Sequence, residues 1–183
     1  MIKVSGGALG GRVLRAPVPE GVRPTSIRTR AALFSMLGQD LSGWSFLDAC
    51  GGTGLMAVEA ASRGADPVFV AERDLVAVAG IEQNLSQLGL SRVRVLRGDV
   101  LRPQQPALSA DVVFLDPPYK DPIGPWIAWA SGVARRYVVA EARFGTAWPE
   151  PTEGFESDGV RRHGEAELAF YRRVPGLAPG AGL

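Results

Sequence analysis

The chain has 183 residues, 46% of them hydrophobic and 21% charged, with a net charge of +1, the balance of one globular domain with room for a small appendage. No apolar run reaches the roughly 18 residues of a membrane helix, and the N-terminus lacks the apolar core of a signal peptide. A single cysteine, Cys50, excludes an intrachain disulfide and fits a reducing, cytoplasmic setting, and with one histidine, His163, there is no Cys/His cluster for a metal.

Charge is unevenly distributed. Residues 1–35 carry Lys3, Arg12, Arg15, Arg23, Arg28 and Arg30 against Glu20 alone, a net of +5. The remaining 148 residues carry 14 basic and 18 acidic side chains, a net of −4. A basic end on a nearly neutral chain suits an anionic partner such as a phosphate backbone.

In chain order, residues 1–24 form an arm rich in Gly, Val, Pro and Arg, with Val4 and Val13-Leu14 able to pair as a small hairpin. Pro24-Thr25-Ser26 marks a helix start, and Ala31 to Leu37 supply its apolar face as far as Gly38. A strand is expected over 44–50, a tight turn at Gly51-Gly52-Thr53-Gly54, and a helix over 55–63 stopped by Gly64. Alternation continues with strand 67–71, helix 75–88, strand 93–97, strand 111–115, helix 123–134 and strand 136–142. Two strands at 156–163 and 167–174, turning at Gly164-Glu165, close the pattern. The domain proper thus runs over 25–174, and the Gly/Pro/Ala-rich 175–183 reads as a flexible tail.

Such alternation predicts an α/β fold with a mostly parallel sheet covered on both faces, ending in an antiparallel edge hairpin. Ligands in these folds bind at the carboxyl ends of strands. The glycine turn, Glu72, Asp99 and Asp116 each follow a predicted strand and are expected to open on one side.

Asp116-Pro117-Pro118-Tyr119 is the most informative segment. Proline fixes φ and lacks an N–H, so the corner is rigid and offers carbonyl acceptors. A carboxylate, the Pro117 carbonyl and an aromatic face suit a planar base with an exocyclic amino group, its ring stacked on Tyr119.

Asp48 to Gly54 is the second segment. Glycines permit a sharp strand-to-helix turn and close approach of a ligand. Glu72, at the end of the next strand, is placed to take two ribose hydroxyls, and Asp99 an adenine amino group. Gly52-Thr53-Gly54-Leu55-Met56-Ala57 also matches a dinucleotide fingerprint. An acid at Asp48 suits a cationic ammonium or sulfonium better than a pyrophosphate. The cofactor expected is therefore S-adenosylmethionine, with a dinucleotide as the rival. Cys50 reads as a small buried residue rather than a nucleophile.

Together these residues resemble the amino-directed S-adenosylmethionine methyltransferases. The flanks narrow the resemblance. Gly6-Gly7, Gly11-Arg12, Leu14, Pro17, Arg23-Pro24-Thr25, Arg28, Arg30 and Leu33-Phe34 are similar to the N-terminal arm of a bacterial family that methylates the N2 amino group of a guanine in small-subunit ribosomal RNA. Gly164-Glu165 and Phe170-Tyr171 resemble its closing hairpin. The resemblance implies a Rossmann-like class I methyltransferase fold with a seven-stranded sheet. It implies Asp116, Pro117 and Tyr119 as catalytic residues, and Asp48, Gly52, Gly54, Glu72 and Asp99 around the cofactor. Arg12, Arg23, Arg28 and Arg30 would contact RNA, and the partner would be ribosomal RNA or the small ribosomal subunit, met by a monomer. Ile27 and Ala31 stand where the family often has acids beside the arginines. The alternatives are an amino-methyltransferase for adenine or guanine of DNA or another RNA, and a non-catalytic RNA-binding or ribosome-assembly factor on the same fold.

Overall fold

The computed structural model describes residues 2–16, 25–102 and 108–176. Arg23, much of the 175–183 tail and the segment containing Pro103 and Pro106 lie wholly or partly outside them. The chain forms two compact units, Met1–Val100 and Leu101–Leu183.

The first unit opens with strand β1 (Ile2–Lys3) paired antiparallel to β2 (Val13–Leu14), joined through a short 3-10 turn at Gly7–Leu9. The expected hairpin is present, and it is stapled to helices rather than projecting as an arm. The Ser5 N–H donates to Glu59 Oε1 at 2.6 Å, and the Leu9 N–H to Ser62 Oγ at 2.8 Å. The Arg15 and Ala16 N–H groups both donate to Asn84 Oδ1. Gly7 has φ +72°, and a Cβ there would lie 2.0 Å from the Ser62 carbonyl oxygen, so only glycine lets the hairpin approach so closely.

Helix α1 (Ile27–Leu37) begins where Ser26 accepts from the Thr29 N–H at 3.1 Å, an N-cap. Strands β3 (Phe46–Asp48), β4 (Val68–Glu72) and β5 (Arg94–Arg97) pair in parallel in the order β5-β4-β3. Between them run α2 (Leu55–Ser62) and α3 (Leu75–Leu88). Asp74 caps α3 through the Val76 and Ala77 N–H groups, and Gly89 ends it at φ 71°. The Leu90 N–H returns to the Leu85 carbonyl, satisfying an end carbonyl of the helix. Phe34 and Phe46 are fully buried; each removes enough apolar surface from water to stabilise the unit by about 2–3 kcal/mol.

The second unit holds β6 (Ala110–Leu115), α4 (Ile123–Val133), β7 (Ala134–Arg143), β8 (Phe155–His163) and β9 (Ala166–Arg173). All six residues of β6 are buried, as a strand covered on both faces requires. β6 and β7 are parallel, with Leu115 opposite Ala140. β7 and β9 are antiparallel, as are β9 and β8, with a register shift between Ser157 and Val160. The closing hairpin is therefore as its residues predict.

Candidate active site

In the first unit, strand β3 ends on Asp48, and the chain turns through Gly52 (φ 52°) and Gly54 (φ 76°) into α2. Gly51 is as constrained: a Cβ there would lie 2.7 Å from Val70 Cγ2. Glu72, the last residue of β4, organises this turn. Its Oε2 accepts from the Gly52 N–H at 2.8 Å, and its Oε1 from the Arg73 and Asp74 N–H groups at 2.7 and 2.8 Å. Three backbone donors thus orient one half-buried carboxylate at the tip of β4. Asp99, two residues beyond β5, lies 3.7 Å from the Arg73 guanidinium.

Asp48 is 1% exposed. Burial pushes its carboxyl up from 3.8 to about 7; the Cys50 and Ala57 N–H groups oppose the rise, and the charge of Glu72 adds to it. Its Oδ2 is buried with no hydrogen-bond partner. A buried acid with one unsatisfied oxygen, beside a glycine turn and an oriented second carboxylate, fits a ligand that brings a cationic group and hydroxyls. That is the acceptor set an amino-acid-bearing nucleoside needs. Cys50 is half-buried, and its N–H donates to Asp48 Oδ1 at 3.4 Å.

In the second unit, Asp116 follows directly on β6 and is half-buried, Pro117 is buried, and Pro118 and Tyr119 are exposed. The Pro118 carbonyl accepts from the Asp121 N–H at 2.8 Å and closes the turn. The corner's second proline carbonyl is therefore engaged in holding its shape. Tyr119 is 51% exposed, and its ring faces the Arg143 guanidinium at 5.9 Å. Glu141 is buried one position after Ala140, the partner of Leu115, so the register sets it level with Asp116; the residue pattern of β7 alone does not single it out.

The basic N-terminal surface needs a correction. Arg12 and Arg28 are exposed, as contact with RNA requires, and Arg23 lies outside the described residues. Arg30 is 2% exposed. Its guanidinium pairs with Glu59 and donates to the Lys3 carbonyl at 2.8 Å. Glu59, 0% exposed, also pairs with Arg63, which stacks on Phe34 at 4.0 Å. Arg30 is a buried structural cation tying the hairpin to α1 and α2, and it is withdrawn from the RNA contacts. The orienting role that acids flanking it in α1 would have served is filled by Glu59 from α2. The Glu59–Arg63 spacing of four on a helix was the available signal.

Comparison with known proteins bears on both units. YlbH of Bacillus subtilis is 33% identical over 125 residues, covering 66% of this chain and 68% of that protein. Ribosomal RNA small subunit methyltransferase D of Escherichia coli is 32% identical over 120 residues, covering 65% of this chain and 61% of that protein. The solved structure of YhhF from Escherichia coli matches with a TM-score of 0.81 at 25% identity, over 94% of this chain and 97% of that one. The fold is that of a Rossmann-like class I methyltransferase, a mostly parallel seven-stranded sheet with an antiparallel pair at its edge. A model of the family described as conserved hypothetical protein 95 matches residues 2–172, and the chain belongs to that family, the one of the ribosomal RNA small subunit methyltransferase D proteins.

Proposed function

We infer that this chain methylates the exocyclic N2 amino group of a guanine in small-subunit ribosomal RNA. The observation that carries the reading is the Asp116-Pro117-Pro118-Tyr119 corner at the tip of β6, with its half-exposed ring beside a half-buried acid. The name of the Escherichia coli relative supports ribosomal RNA as the substrate class.

S-adenosylmethionine is the cofactor, and when bound it supplies an electrophilic methyl group on a sulfonium. Asp48, Gly52, Gly54, Glu72 and Asp99 would hold it: Asp48 against its cationic end, Glu72 against the ribose hydroxyls and Asp99 against the adenine amine. The residues of the corner do the rest. An aromatic amine is a weak nucleophile because its lone pair is delocalised into the ring. Asp116 and the Pro117 carbonyl accept the two amine hydrogens, which favours a tetrahedral nitrogen with its lone pair directed outward. Asp116 also stabilises the positive charge that grows on that nitrogen, the methylated amine then sheds one of its protons to water, and Tyr119 fixes the plane of the base throughout. The target must leave its stack, at a cost of a few kcal/mol, and stacking on Tyr119 returns about 1–3 kcal/mol. Arg12 and Arg28 hold the phosphate backbone.

The test is incubation of the purified protein with labelled cofactor and unmodified small ribosomal subunits or their naked RNA, followed by mapping of the modified base. Label on a guanine N2 is expected. Label on adenine, or on DNA in preference to RNA, overturns the reading.

A further inference from the structure

Phe144 is a large aromatic left 51% exposed, the same fraction as Tyr119. It is held rigidly. Its N–H donates to the Glu165 carbonyl at 2.8 Å, which pins the end of β7 to the turn between β8 and β9. The Arg162 guanidinium stacks on its ring at 3.6 Å, and Arg162 Nε donates to the Gly164 carbonyl at 3.1 Å. Arg143, the preceding residue, reaches the Tyr119 ring. Tyr119 with Arg143, and Phe144 with Arg162, therefore form two aromatic–guanidinium pairs near the end of β7, and the strand register sets Arg143 with Ala166 and His163 on one face and Arg162 with Glu167 and Ala142 on the other.

An exposed phenylalanine forgoes apolar burial, and the Arg162 stack offsets only part of that loss. Two pre-positioned aromatic faces, each backed by a guanidinium, match what unpaired nucleotides need. Bases stack on aromatic and guanidinium planes, and guanidinium groups take phosphates. A pinned ring also sacrifices little conformational entropy on binding. We propose that Phe144 and Arg162 form a second nucleotide site that stacks an unpaired base neighbouring the target and holds its phosphate. The proposal rests on the RNA-methylating reading of the corner, in which Tyr119 takes the target base itself. Phe144 is a positioning residue: it acts on where the RNA lies, not on the reacting nitrogen.

The experiment uses the full chain and three probes, a fluorescein-labelled single-stranded RNA decamer, unmodified small-subunit RNA and assembled small subunits. Phe144→Ala is expected to raise Kd for the decamer and KM for the RNA about ten-fold, with kcat moving much less. Phe144→Trp is expected to restore both. Arg162→Ala should lower the slope of log Kd against log salt by about one phosphate contact. Circular dichroism and cofactor binding establish that each variant folds. Unchanged Kd and KM in a folded Phe144→Ala variant overturn the site. So does a KM that rises only for assembled subunits while the naked decamer binds as before, because the ring then meets a protein. Phe144-dependent binding of the decamer by a chain that methylates no ribosomal RNA supports the site and overturns the functional reading beneath it.

Discussion

The Gly52 N–H donates to Glu72 Oε2 at 2.8 Å, so the acid at the tip of β4 shapes the glycine turn that follows β3. The other oxygen of Glu72 accepts from the Arg73 and Asp74 N–H groups. A carboxylate at this position is a structural keystone of the turn as well as a proposed ribose acceptor. Glu72→Gln places an amide NH2 against at least one backbone donor. It is expected to weaken S-adenosylmethionine binding ten-fold or more by calorimetry and to lower stability by about 1–3 kcal/mol in urea titration. Wild-type affinity in this variant would remove Glu72 from the cofactor set.

Asp48 is expected to make stability depend on pH and, in its proposed place against the cofactor's cation, to do the same for cofactor affinity. Its folded value, about 7, lies above the ordinary 3.8, so the folded chain keeps a proton that the unfolded chain releases. This contribution to stability is fully present below pH 4 and is lost as pH rises through 7. The total is roughly 4 kcal/mol. A cationic ligand favours the ionised form, so cofactor affinity should rise with pH up to about 7 and level off above. Asp48→Asn should flatten the stability profile between pH 4 and 7. A binding profile flat over pH 5.5–8 would separate Asp48 from the ligand's cation.

Asp116→Ala is expected to lower kcat for methyl transfer by at least 10²-fold, the scale of losing one electrostatic group at a reacting centre. Cofactor Kd should change less than two-fold. Near-normal turnover would refute the role assigned to the carboxylate.

The two classes of N-terminal arginine should part experimentally. Replacing Arg12 and Arg28, both exposed, with alanine should reduce the salt slope of RNA binding by about one per lost phosphate contact. Glu59→Ala leaves the Arg30 and Arg63 guanidinium groups buried without their counter-charge. It should cost about 3–5 kcal/mol of stability, and hydrogen exchange should quicken first in β1 and β2. A Glu59→Ala protein of wild-type stability would show the triad to be dispensable.

Local chemistry made much of this molecule legible from its residues. Apolar runs, caps and glycine stops lie close together along the chain. The helix over 75–88 ends where Gly89 requires it, and β6 ends where Asp116 and two prolines allow nothing else. The closing hairpin shows in its own turn residues. The candidate sites at strand ends could be proposed from sequence for the same reason: each is a short segment whose residue types carry their chemistry with them.

Burial of a charge is another matter, because it depends on what arrives from far along the chain. Arg28 and Arg30 sit two residues apart on one basic helix, and no local feature says that one is exposed while the other is sealed against Glu59, 29 positions away. The same holds for Asn84, which anchors Arg15 and Ala16, just past β2 and 69 and 68 residues upstream, and for Phe144, whose N–H pairs with the turn at Glu165. Residue order determined the elements and the kinds of side chain at their tips. Tertiary packing alone decided which charges face solvent, because desolvation is imposed by neighbours that only the folded chain brings together.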